Sequence, residues 1–221
     1  MNAMTSPAGS ALSSRYSGKT VLAIGAHPDD LEIGAGGTLA RFARAGARTV
    51  MAVVSIPSNY DIRLAEAREG AKIIGAELRV LLEGGCRRVE DLKNYELVAL
   101  LDRLVHDVAP AAVITHGTAD FHRDHLIVHN ACLPTQRLRY FDFFCFHPAM
   151  CRPVPTAFHP RAYVDVSDTI ETKMAAIMAH DSQFGGRRLS TDMYREIAHV
   201  QGRMVGVEYA EGLDVLRMML A

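Results

Sequence analysis

The residues most able to do chemistry stand together at His27-Pro28-Asp29-Asp30-Leu31-Glu32, and again at His116-Gly117-Thr118-Ala119-Asp120-Phe121-His122-Arg123-Asp124-His125. Imidazole and carboxylate suit a divalent metal. Two histidines and one carboxylate leave a fourth position for water, and zinc held in that way lowers the water's pKa to about 7. His27, Asp30 and His125 supply such a set. Asp29 neighbours a ligand but is free to point elsewhere, and is the candidate general base for the water's proton. His122, three residues before His125, is expected to face a substrate carbonyl. As an imidazolium it would stabilise the oxyanion and then protonate a leaving amine. Asp124 is expected behind the ligands, holding an imidazole in one tautomer.

These groups need rigid elements to bring them together. Residues 20–26 form an apolar run typical of a buried parallel strand. Pro28 restricts itself and His27 at the strand's end. A glycine-rich turn, Gly34-Ala35-Gly36-Gly37, then leads into a helix predicted over 38–45. Strands are predicted over 48–55, 78–82 and 111–115, with helices over 62–74 and 95–108 between them. Residues 83–91 read as a loop. This alternation predicts a Rossmann-like, doubly wound, mostly parallel α/β sheet flanked by helices. Right-handed crossovers put the ends of strands one and four on the same edge. The second polar cluster follows strand four, so topology carries it to the first. Further on, helices are expected over 126–133, 168–179 and 192–205, and strands over 140–146, 162–166 and 213–219. A Pro-rich connection (Pro148, Pro153, Pro155, Pro160) separates the two parts.

With 221 residues and 49% hydrophobic composition, the chain suits one well-buried domain over 19–221. Residues 1–18 read as a disordered tail without the basic and apolar regions of a signal peptide. A net charge of -1 gives no electrostatic footprint for nucleic acid. No apolar run approaches a membrane span. Four cysteines without C-x-x-C spacing read as reduced thiols of a cytoplasmic protein. Homo-oligomerisation is left open. A dinucleotide site is disfavoured, because the glycines do not follow G-x-G-x-x-G and two carboxylates would repel a pyrophosphate. His129, four residues after His125, is weighed as a further ligand, whereas His106 and His199 read as ordinary helix residues.

A-H-P-D-D-L-E followed by G-G-T-L-A, with H-R-D-H after a later strand, resembles the LmbE-like (PIG-L) zinc deacetylases. Arg63-x-x-Glu66, Val164-Asp165-Val166-Ser167, Lys173, His180-Asp181-Ser182-Gln183 and Tyr209-Ala210-Glu211 extend the resemblance through most of the chain. The resemblance implies the LmbE-like fold, with His27, Asp30 and His125 as metal ligands, Asp29 as base and His122 as acid. It implies removal of an N-acetyl group from a 2-acetamido sugar of the N-acetylglucosamine type, and a place for Arg63 near that sugar. Zn2+ is the expected cofactor, with Fe2+ or another divalent metal also suited to the ligand set. Two departures bear on substrate. Arg123 stands where the family often has Pro, and Glu83-Gly84-Gly85-Cys86-Arg87-Arg88 replaces a short turn with an aspartate. Arg123 is therefore a candidate substrate contact. A metallohydrolase of another amide or ester, or a non-catalytic sugar-binding module, are the alternatives.

Overall fold

The apolar run over residues 20–26 forms an interior strand of the sheet. In the computed structural model, which describes residues 14–146, 158–185 and 191–220, β1 (Thr20–Gly25) lies between β2 (Arg48–Val53) and β4 (Ala112–His116), parallel to both. With β3 (Glu77–Val80), β5 (Asp142–Phe146), β6 (Ala162–Asp165) and β7 (Ala210–Arg217), the order is β3-β2-β1-β4-β5-β7-β6. The first five strands are parallel, and β7 runs antiparallel to both its neighbours. Strand order reverses between β1 and β4, the topological switch point where open α/β sheets bind ligands.

Side chains alternate across a strand, so β1 feeds two cores. Val21 and Ala23 meet Leu31, Leu39 and Phe42 of α1 (Asp30–Arg44) and Ala71 and Ile74 of α2 (Tyr60–Ile74). Leu22 and Ile24 meet Leu97, Leu101 and Val105 of α3 (Asn94–Val108) and Val128 of α4 (Arg123–Cys132). A third cluster packs Ile170, Met174 and Ile177 of α5 (Ile170–Met178) against Tyr194 and Ala198 of a later helix, with the four-residue α6 (Asp181–Phe184) between them in sequence. That later helix is α7 (Asp192–Val205).

The glycine-rich stretch corrects an expectation. It is not a turn before a helix at residue 38: α1 already begins at Asp30 and passes through the glycines, breaking helical geometry only at Ala35 (φ -148°, ψ 17°). The glycines serve close packing. A Cβ on Gly34 would overlap the Phe146 ring, and one on Gly37 would stand 2.8 Å from Val166. Backbone groups at the break find buried partners. Glu211 accepts the N–H groups of Gly37 (3.1 Å) and Thr38 (2.7 Å), while Lys173 donates to Ile33 O (2.6 Å) and pairs with Glu211. Phe146 is fully buried on β5 and cannot swing away. Gly34→Ala is therefore expected to destabilise the fold by about 1–3 kcal/mol of overpacking in denaturant or thermal unfolding. An unchanged midpoint would show that Phe146 repacks without strain.

The start of the described chain also differs from a disordered tail reaching residue 18. Tyr16 is 1% exposed, lies edge-on to Phe42 at 5.4 Å between ring centroids, and donates its hydroxyl to Asp142 Oδ2 (2.8 Å). The rest of the predicted tail, His147, Cys151 and most of the Pro-rich connection lie outside the described residues. Cys86, Cys132 and Cys145 are free thiols.

Candidate functional site

The site begins where the β1–β4 ladder stops. Its register ends at Ile24 opposite Thr115. Beyond it side chains take over the backbone groups: Thr115 Oγ1 donates to Ile24 O (2.9 Å), and Ala26 N–H donates to His116 Nε2 (2.9 Å). The strands part here and the chain turns through Pro28 into α1.

Asp29 occupies the N-cap of α1 with left-handed backbone (φ 88°, ψ -27°), yet its carboxylate accepts no helix N–H. A non-glycine residue in this region is uncommon and costs about 1–2 kcal/mol, although Asp tolerates it better than most. The twist separates two adjacent carboxylates. Asp30 turns into the sheet edge, where Oδ2 accepts His27 N–H (2.7 Å) and Oδ1 lies 3.1 Å from His125 Nε2. Asp29 faces Arg63 at 3.8 Å. Burial first, then the Asp30 charge, pushes the Asp29 carboxyl up to about 7, against the opposing pull of His180 and Arg63.

His27, at the end of the β1 turn, meets Asp124 Oδ2 through Nε2 (3.0 Å). His125, on the first turn of α4 and not in the loop before it, meets Asp120 Oδ2 through Nδ1 (2.7 Å). Each imidazole thus has one nitrogen engaged by its own carboxylate, the arrangement that fixes a metal-binding histidine's tautomer. Burial works against a charged His125, but Asp30 and Asp120 on its two nitrogens raise its pKa to about 10. A divalent cation competes with that proton for the same atoms. Donor atoms of His27, His122 and His125 lie within 4.8 Å of one another, as do those of Asp30, His116 and His125. The donor chemistry and these outer carboxylates fit a divalent cation, with His125 common to both groups.

His122 stacks on His125 (4.4 Å between centroids), and its Nδ1 accepts the Asp124 N–H (3.2 Å), which leaves its proton on Nε2. Burial and the neighbouring His125 and His27 lower its pKa below the usual histidine value. Without a metal, both features favour a neutral His122 with its proton on Nε2. Arg63 is only 6% exposed and donates to Pro28 O (3.1 Å), so it braces the Asp29 turn from behind as well as lining the cavity. Arg123 opens α4 on the rim.

Two residues of the second cluster were given no role by sequence reasoning. His116 is fully buried, stacks on His125 at 4.0 Å and stands 3.3 Å from Asp30; burial pushes its pKa down to about 4. Asp120 accepts the His122 N–H (2.8 Å) as well as facing His125, so one buried carboxylate orients both. Its five-residue spacing from His125 was the available signal. His129, weighed as a ligand, instead donates Nδ1–H to His116 O (2.7 Å). Asp120→Asn is expected to weaken metal affinity about 10–100-fold, the usual effect of losing an outer carboxylate. Metal titration in a competing chelator measures this, and unaltered affinity would remove Asp120 from the centre.

A cavity of about 880 Å³ opens over these groups. Asp29, His122 and Arg63 line it beside Arg88 and Glu90 from the 83–91 loop and Phe184 and Tyr194 from α6 and α7. That size suits a small-molecule site.

A mostly parallel α/β sheet with a His/Asp cluster at its switch point is the LmbE-like architecture. Residues 22–135 match the family model described as PIG-L: GlcNAc-PI de-N-acetylase. The uncharacterized deacetylase YaiS of Escherichia coli K12 is 32% identical over 192 residues, covering 77% of this chain and 95% of that protein. Diacetylchitobiose deacetylase of Thermococcus kodakarensis is 27% identical, covering 88% of this chain and 82% of that protein. Among solved structures, the 4-carboxy-2-hydroxymuconate hydratase GalB of Pseudomonas putida KT2440 shares the fold with a TM-score of 0.76 at 20% identity, over 92% of this chain and 98% of its own. The chain belongs to the PIG-L (LmbE-like) family.

Proposed function

We propose that this protein is a divalent-metal-dependent N-deacetylase that hydrolyses the acetamide of a 2-acetamido sugar of the N-acetylglucosamine type. The observation that carries this reading is the split of the Asp29-Asp30 pair: one carboxylate is built into a His/Asp cluster, and its neighbour faces the cavity without a capping role. His27, Asp30 and His125 would hold the metal, zinc or ferrous iron, and the bound cation supplies an acidified water and charge stabilisation. Diacetylchitobiose deacetylase, a relative over most of both chains, supports an acetylated amino sugar as substrate.

Asp29 accepts the proton of the water that attacks the acetyl carbon. The neutral Nε2–H of His122 donates a hydrogen bond to the acyl oxygen as negative charge develops there. Asp29 then returns its proton to the nitrogen as the C–N bond breaks, giving acetate and a free amine. Asp124 and Asp120 keep the two imidazoles aligned, and Arg63 holds the Pro28–Asp29 turn.

Acetate release from a panel of N-acetylated amino sugars, including N,N'-diacetylchitobiose, tests the reading. Release is expected from at least one sugar, with loss after chelation and recovery on adding Zn2+ or Fe2+. Turnover confined to other amides or esters would favour a different metallohydrolase, and metal binding without any turnover would favour a sugar-binding module.

A further inference from the structure

We propose that His116 is a positioning residue of the metal centre and not one of its ligands: it fixes the end of β1 and sets Asp30 and His125 facing each other. This rests on the reading in which Asp30 and His125 hold a divalent cation. Asp30, His116 and His125 form one of the two groups of donors close enough to share an ion. Distance alone makes His116 as good a ligand as its neighbours, but its hydrogen bonds do not.

A backbone amide can only donate. The Ala26 N–H donates to His116 Nε2 (2.9 Å), so that nitrogen's lone pair is taken and the ring's proton sits on Nδ1. Nδ1 is buried and has no acceptor among the described residues. Coordination through Nε2 would deprive Ala26 of its acceptor. Coordination through Nδ1 would move the proton to Nε2 and set donor against donor. In both cases the Ala26 amide, fully buried just past the last rung of the β1–β4 ladder, is stranded. The imidazole satisfies one buried donor and leaves its own unmatched, so pairing alone does not account for it.

The arrangement around the ring does account for it. Nε2 stands 3.3 Å from Asp30 Oδ2, lone pair toward carboxylate with no proton between them. Oδ2 also accepts the His27 N–H (2.7 Å). These contacts keep Oδ2 on the strand side, and Oδ1 is the oxygen that faces His125 Nε2 at 3.1 Å. His116 stacks on the His125 ring at 4.0 Å with the planes 15° apart, and His122 stacks on it at 4.4 Å and 20°. Two near-parallel rings at those distances cannot share one face, so His125 is gripped from both sides. His116 is itself wedged against Phe146, with ring centroids 4.8 Å apart, and is closed to solvent. A ring packed so tightly has no room to turn. One side chain thus fixes the strand end, the carboxylate oxygen that is presented and the plane of the imidazole opposite it.

Two substitutions test this, read as Zn2+ affinity in a competing chelator. His116→Phe keeps a stacking ring but no acceptor, and His116→Gln keeps an acceptor but no ring. Both are expected to retain stoichiometric Zn2+. His116→Phe should bind it about 10–100-fold more weakly, the usual effect of losing an outer partner. His116→Gln should fall between that variant and the parent, because its amide oxygen still accepts the Ala26 N–H. Loaded with Co2+, both variants should keep the parent's visible spectrum, which follows the donor set. Circular dichroism verifies folding, and should His116→Phe not fold, weaker Zn2+ binding with an unaltered Co2+ spectrum in His116→Gln carries the test. A lower unfolding midpoint of the metal-free variants with unaltered Zn2+ affinity would make the ring merely structural and overturn the proposal. Loss of stoichiometric metal, or a changed Co2+ spectrum, would make His116 a ligand and overturn it as well. Weakened affinity as stated, in a protein that releases acetate from no sugar, would sustain the proposal while removing the deacetylase reading. Acetate release with unaltered affinity in the folded variants would do the reverse.

Discussion

Asp29→Asn is expected to lower kcat by about 10²–10⁴-fold, the usual worth of a general base, while the protein keeps its full complement of metal. The substitution is nearly isosteric, and Asn tolerates the left-handed backbone observed at this position as Asp does. The carboxylate caps no helix N–H, so local geometry has little reason to change. A stability measurement separates the base from a structural role. Burial and Asp30 raise the Asp29 pKa to about 7, above its unfolded value. An acid with a raised folded pKa favours the native state when protonated, and that contribution is lost as pH rises through about 7. Metal-free Asp29→Asn should therefore be at least as stable as the metal-free parent at pH 8. A variant of near-normal kcat would eliminate Asp29 as the base, and a markedly destabilised one would show that its carboxylate holds the turn.

His125→Ala is expected to abolish stoichiometric metal binding and, with it, measurable acetate release. If loss of an outer carboxylate costs about 10–100-fold in affinity, removal of the imidazole common to both donor groups should cost more. It also takes a partner from two buried carboxylates, but Asp30 keeps the His27 N–H and Asp120 keeps the His122 N–H. The stability cost is therefore expected to stay below that of an uncompensated buried charge, about 3–5 kcal/mol. Metal content by elemental analysis, made on protein shown to be folded by circular dichroism, decides the matter. Full metal retention in folded His125→Ala would move the centre to the remaining donors.

The parts of this site that were legible in the sequence share a cause. An unbroken apolar run that ends in ionisable residues, as at Ile24 to Asp30, has few structural explanations, and the His122–His125 group follows a second such run. Both end at the same point of the sheet because β1 and β4 are parallel neighbours. What stayed hidden depends on partners distant in sequence. Gly34 and Gly37 read as a turn because their reason, contact with Phe146 and Val166, lies over a hundred residues away. His116 was counted in the second cluster but given no role, because its partner is a backbone N–H, which leaves no mark on residue type. The start of β7 was misplaced because Glu211 interrupts the apolar pattern, and only Lys173 and the broken helix make its burial intelligible. The charge state of His122 depends on rings stacked around it, which spacing does not reveal.

The break at Ala35 carries a consequence for how the protein is made. The two halves of α1 are joined through the Lys173–Glu211 pair, with Lys173 on the Ile33 carbonyl before the break and Glu211 on the Gly37 and Thr38 N–H groups after it, so the helix bearing Asp30 is braced from β7. A ribosome adding about 5–20 residues per second delivers Asp29 and Asp30 many seconds before the residue that braces their helix. Until Glu211 emerges, the Gly37 and Thr38 N–H groups can be satisfied only by water or transient contacts. Assembly of the centre is thereby tied to synthesis of the strand that carries Glu211.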